Sequence, residues 1–252
     1  IANNMIYGFE LTAVNPVAYV RGIKNSSASA TLNLAFNSIY MNNLADIGTG
    51  TVSYQGLLFS NGTNNVANNI VVSAETDFAS YCIYRDLALG TLASDHNDFY
   101  PVNTTNGNVG FFNTSATPTL LDWQTASSQD PNSLSVNPLF VASTDLHLLN
   151  TSTPLMGKGI AIPGVTTDFD GELRDSIPEI GADEFPGIIP VELASFSASL
   201  VKGDVILIWQ TATEINNRGF EIERGIDDQF TTVGFTPGAG TTTKKQAPPL
   251  TV

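Results

Sequence analysis

Through the first 150 residues, short alternating apolar runs are separated by clusters of Asn, Gly, Ser and Thr. One phrase recurs within this pattern: Asn, any residue, a large apolar residue, then Tyr or Val. It stands at Asn4-Met5-Ile6-Tyr7, Asn37-Ser38-Ile39-Tyr40, Asn68-Asn69-Ile70-Val71 and Asn97-Asp98-Phe99-Tyr100, at spacings of 33, 31 and 29 residues. A strand-forming phrase at such an interval predicts a solenoid, in which each repeat buries its apolar face only against its neighbours. Thr51 to Phe59, Ala79 to Tyr84 and Val109 to Phe112 read as further strands, and no helical periodicity of useful length accompanies them. Asn at strand edges tolerates left-handed backbone angles, and stacked Asn amides can hydrogen-bond from rung to rung. The expected fold is all-β: a parallel β-helix over 1–150, with an evenly stranded β-sandwich as the competing reading.

The pattern changes twice after that. Residues 151–187 are irregular and rich in Pro, Gly and acids, which suits a closing rung and an acidic cap that shields the end of a solenoid. From Val191 the alternation becomes that of antiparallel strands: Val191 to Leu200, Val205 to Trp209, Phe220 to Arg224 and Phe230 to Phe235. Lys202-Gly203-Asp204 supplies a hairpin turn between the first two. Residues 188–252 therefore predict a partial, truncated β-sandwich, since about 100 residues make a complete immunoglobulin-like unit.

Composition sharpens the division. Of 23 Asn residues, 21 precede position 151, whereas 14 of the 24 acidic residues follow position 150. The net charge of −14 argues against nucleic acid or an anionic membrane as a partner. No apolar run is long enough to span a bilayer as a helix, so no membrane insertion is expected. A lone cysteine, Cys82, excludes a disulfide within the chain but not secretion. The chain opens at Ile1 almost inside a repeat and reads as a fragment without its original N-terminus.

Four segments carry a resemblance. Asn137-Pro138-Leu139-Phe140, Asp145-Leu146-His147-Leu148, Asp168-Phe169-Asp170-Gly171-Glu172-Leu173-Arg174 and Ile180-Gly181-Ala182-Asp183-Glu184 resemble the closing rungs and cap of secreted bacterial right-handed parallel β-helix proteins. Ser152-Thr153-Pro154-Leu155-Met156-Gly157-Lys158-Gly159 departs from the Ser-Pro-Ala-Ile-Asp-x-Gly segment usual there. The tail, with Pro190-Val191-Glu192-Leu193-Ala194-Ser195-Phe196, Trp209 to Asn217 and Gly219-Phe220-Glu221-Ile222-Glu223-Arg224, is similar to the fibronectin-type module of large surface proteins exported by type IX secretion. The resemblance covers about residues 130–245 and implies a secreted, extracellular or cell-surface location.

Candidate chemistry is sparse. His96 in Asp95-His96-Asn97-Asp98 reads either as a general base or metal ligand between carboxylates, or as a rung corner; the corner is preferred. His147, between Leu146 and Leu148, reads as a solvent-facing structural residue, and Cys82 as a small buried apolar one. Asp168, Asp170, Glu172 and Asp175 offer hard oxygen ligands that suit calcium; alternatively Arg174 bridges these carboxylates and pins the cap, the preferred reading. No other cofactor and no catalytic residue is expected. Arg21, Lys24 and Arg85 pair with no acid cluster, as a polysaccharide lyase would require, and the aromatics Tyr7, Tyr40, Tyr54, Tyr81, Tyr84, Phe99 and Tyr100 could stack sugars only if a stripe faces outward. The expected function is a non-enzymatic structural or adhesive surface protein, self-associating or binding other surface proteins. The alternatives are the C-terminal part of a carbohydrate-active β-helix enzyme and a passive glycan-binding module, each with polysaccharide as partner.

Overall fold

A computed structural model describes residues 1–10, 17–42, 51–86, 90–149, 154–184, 193–212, 214–226, 229–242 and 249–251. Its residues group into two compact units, Ile1–Phe185 and Pro186–Val252. In chain order the first unit opens with β1 (Met5–Ile6), β2 (Val17–Asn25), β3 (Thr31–Ala35), β4 (Ser38–Met41), β5 (Thr51–Phe59), β6 (Thr63–Ala67), β7 (Ile70–Ser73), β8 (Ser80–Arg85), β9 (Thr91–Asp95), β10 (Asp98–Pro101) and β11 (Gly107–Phe112). These strands fall into three sheets, ordered β1-β4-β7-β10, β3-β6-β9 and β11-β8-β5-β2, and every pairing among them is parallel. The chain visits the three sheets in turn and returns to each one strand further along. Thus the protein is mostly β, built on parallel sheets.

The alternation within each strand explains the sheets. In β4, β7 and β10 the aligned residues Ile39, Val71 and Phe99 enter one core shared with Leu34, Tyr54, Leu57, Cys82 and Ile83 from the other two sheets. Their neighbours Tyr40, Val72 and Tyr100 join a second apolar cluster with Leu148, Leu155 and Ile180. With both faces covered, these strands read as nearly continuous apolar runs.

Four corners repeat ahead of this sheet. Asn3, Phe36, Asn68 and His96 each hold a left-handed backbone, with φ between 54° and 58°. After each corner comes a ladder residue. Asn4 Nδ2 donates to Asn37 Oδ1 at 2.7 Å, Asn37 Nδ2 to Asn69 Oδ1 at 2.9 Å, and Asn69 Nδ2 to Asn97 Oδ1 at 3.0 Å. The third copy of the phrase thus starts at Asn69, one residue later than the sequence reading placed it; Asn68 occupies the corner instead. The ladder closes on Asp130, whose Oδ1 accepts from Asn97 Nδ2 and whose Oδ2 accepts from Trp123 Nε1 at 2.7 Å.

Trp123 belongs to a helix that sequence reading missed, α1 (Leu120–Ser127). Its signal was present: Thr119 and Asp122 form a capping box that satisfies the first turn. Strand β12 (Ser115–Thr117) pairs antiparallel with β11 and leads into this helix. The fully buried indole packs over Gly110 of β11 and edge-on against Phe112.

The acidic segment expected to shield the last rung lies elsewhere. Strands β13 (Phe140–Ala142) and β14 (Asp145–Leu148) form a hairpin, and residues 154–184 run along the outer face of β1-β4-β7-β10. Corner and strand residues hold them: Asn68 Nδ2 donates to Ile160 O while its Oδ1 accepts from Ile160 N, Asn3 Nδ2 donates to Thr167 O, and Ala182 N donates to Ser38 Oγ. This segment is part of the first compact unit.

The second unit holds β15 (Leu193–Val201), β16 (Asp204–Thr211), β17 (Glu214–Ile226), β18 (Gln229–Thr242) and β19 (Pro249–Thr251). They form a sheet ordered β15-β16-β19 and a separate β17-β18 hairpin, all antiparallel. Lys202 and Gly203 both take positive φ in the β15–β16 turn, as a two-residue hairpin of this twist needs. Trp209 is buried edge-on against Phe220. Residues 185–190, the first two residues of the strand read from Val191, and residues 243–248 lie outside the described residues.

Candidate functional site

The richest cluster of charged groups lies where the β13–β14 hairpin meets the acidic loop. In that loop Asp168 is buried and spent on backbone: its Oδ1 accepts from Asp170 N at 2.9 Å and Glu172 N at 2.8 Å, and its Oδ2 from Glu184 N at 2.9 Å. Gly171 turns the loop at φ 88°, and Glu172 and Asp175 are exposed. Of the four acids that suggested calcium, only Asp170 belongs to the one group among the described residues whose ligand atoms converge as a metal site would require. Its companions there are His147 and Asp183, and the three ligand atoms lie within 4.8 Å of one another.

His147 owes its position to strand alternation, which puts it on the same side of β14 as Asp145 while Leu146 and Leu148 are buried. Its Nδ1 bonds Asp145 Oδ1, and its Nε2 lies 2.8 Å from Asp170 Oδ2. The bond to Asp145 is the main reason the imidazole holds its proton more tightly than usual. Asp183 is buried and accepts from Leu148 N at 2.7 Å. Burial raises its carboxyl above the usual range. The spacing of Asp145 and His147 could have flagged this pair; Asp183 enters only through tertiary packing.

Arg174 pins the segment, though through other partners than expected. Its Nη1 is 2.9 Å from Glu184 Oε2, its Nη2 donates to Asn3 Oδ1 and to the carbonyls of Gly181 and Ala182, and its guanidinium stacks 3.8 Å from the Phe36 ring centre. That stacking accounts for a bulky residue at a left-handed corner. Nearby Glu179 is pushed up to about 8 by burial and by Glu184.

A groove of about 500 Å³ runs over β3-β6-β9. Its floor is Ala35, Ala67 and Ala93 with an outward amide pair, Asn65 Nδ2 to Asn33 Oδ1 at 2.8 Å. Asp95 and His96 lie at its end, 3.3 Å apart. Both Asp95 oxygens are already taken by Asn132 N and Nδ2, each at 2.8 Å, so this carboxylate anchors the following loop and His96 fills a corner. Arg21 bonds Gln55 and covers Tyr19, and Arg85 bonds Gly90 O. The aromatics divide between locations. Tyr54 and Phe99 are in the main core, Tyr40 and Tyr100 pack under the acidic segment, and Tyr84 stacks face to face on Phe111 at 4.5 Å with Tyr81 edge-on to both. Cys82 is fully buried, and burial raises its thiol well above the ordinary range.

No family model, curated protein or solved structure matches this chain.

Proposed function

We propose that this chain is a structural or adhesive protein of the extracellular space or cell surface, without catalytic activity of its own. In this reading the three parallel sheets are the faces of one right-handed parallel β-helix, the hand that parallel crossovers adopt almost without exception. The second unit serves as a fibronectin-type module of a protein exported by type IX secretion. The observation that carries the reading is the repetition of uncharged outer positions in register. Asn33, Asn65 and Ala93 align across β3-β6-β9, as do Thr31, Thr63 and Thr91, and all six are exposed. Such a surface can meet a copy of itself or another surface protein over many small polar contacts without desolvating charge. Electron microscopy of native material tests it: ordered filaments or arrays are expected, and dispersed monomers at high concentration overturn assembly.

The groove over β3-β6-β9 favours one second reading, passive glycan binding, because Asn amides over an alanine floor suit sugar hydroxyls. The stacked Tyr84 and Phe111 rings do not add to it, since each covers a face of the other. A polysaccharide screen read for both retention and cleavage distinguishes this module, and the enzyme alternative, from the structural role.

A further inference from the structure

We propose that His147, Asp170 and Asp183 bind one divalent transition-metal ion, with Zn²⁺ the best match to their chemistry. The inference stands apart from the assembly role proposed above. The three ligand atoms come from β14, from the acidic loop 23 residues later and from the segment that follows it, yet converge within 4.8 Å. One imidazole nitrogen with two carboxylates is a donor set for zinc and its neighbours; calcium takes oxygen ligands.

The surroundings are those of a metal site. Asp145 holds the Nδ1 side of the ring, which directs Nε2 toward Asp170. A carboxylate in that place fixes the tautomer and raises ligand basicity, the usual support for a metal-bound histidine. Asp183 is fixed by the Leu148 N–H, whereas Asp170 is exposed beside Gly171 and free to adjust. Adjustment is needed. Donors around a tetrahedral ion with bonds of about 2.0–2.1 Å stand roughly 3.3 Å apart, and the present Nε2–Oδ2 separation is 2.8 Å. Three carboxylates surround a single imidazole, and the nearby Arg174 is committed to Glu184, so a divalent cation relieves an excess of negative charge. The bound ion would staple the β13–β14 hairpin to the acidic loop and leave a coordination position open toward solvent on the Asp170 side.

The test is calorimetric titration of the full 252-residue chain, stripped with chelator, against Zn²⁺ and separately against Ca²⁺. One Zn²⁺ per chain is expected, with Ca²⁺ at least tenfold weaker. His147→Ala and Asp170→Asn each weaken Zn²⁺ at least tenfold, and Asp145→Asn, a positioning change, weakens it by about 10–100-fold. His96→Ala, at the other histidine, leaves it unchanged. Metal-free melts of the same variants confirm that they fold, and visible bands of the Co²⁺-loaded chain that vanish in His147→Ala place the ion at this site. No Zn²⁺ uptake, uptake undiminished in His147→Ala, or equal binding of Ca²⁺ overturns the proposal.

Discussion

Asp98 aligns with Ser38 and Ile70 in adjacent strands and is fully buried beneath the chain at Val136, whose N–H its Oδ1 accepts at 3.0 Å. Burial pushes its carboxyl up to about 8, and the Cys82 thiol lies close enough to feel its charge. The folded protein therefore keeps a proton there that the unfolded chain releases at about pH 4. A folded-state value above the unfolded one gives stability that is complete below about pH 4 and lost as pH rises through about 8. Asp98→Asn, which stays neutral, is expected to flatten that decline and to be the more stable form at pH 8.5, as read by urea midpoints across pH. Parallel curves for the two proteins would remove Asp98 as the cause. The Asn doublet at 68–69 marks where residue-level reading reached its limit. Both residues suit a corner or a ladder, and only burial against Asn37 and Asn97 tells which is which.

Among the elements, strands were the most legible, because their apolar alternation is local: Thr51–Phe59 forms a strand with the bounds the pattern predicts. Helix α1 was not, since eight residues carry little periodicity and only the Thr119–Asp122 box announced it. The placement of residues 154–184 was also hidden. It depends on hydrogen bonds to Asn3, Ser38 and Asn68, more than 90 residues away in sequence. Arg174 is the anchor of that segment, with its side chain only 3% exposed. Arg174→Met is expected to cost about 3–5 kcal/mol, because Glu184 is left buried without its partner. Adding Glu184→Gln should recover part of that loss. Denaturant unfolding of the three variants checks it, and an Arg174→Met midpoint equal to that of the parent would show that the pair is not the anchor.

At the scale of the molecule, each compact unit carries one tryptophan, Trp123 in the first and Trp209 in the second, and the lone thiol lies in the core of the first. In a Trp209→Phe variant, fluorescence reports on the first unit alone. Because Cys82 is fully buried with its thiolate disfavoured, thiol labelling along a urea series is expected to follow the Trp123 signal. Labelling that precedes the Trp123 change would mean that the three-sheet core opens in parts and does not unfold as one block.

The asparagine ladder carries a consequence for how such a chain lengthens. Every amide in it points the same way, receiving from the strand before and giving to the strand after, until Asp130 ends the series. Each step is chemically interchangeable with the next, although the paired strands are separated by 33, 32 and 28 residues in turn. A duplicated segment can therefore enter between any two steps and find an acceptor and a donor already in place. Its ancestry can be one of copying, with residues gained or lost away from the ladder, while the aspartate-and-tryptophan terminus is kept once.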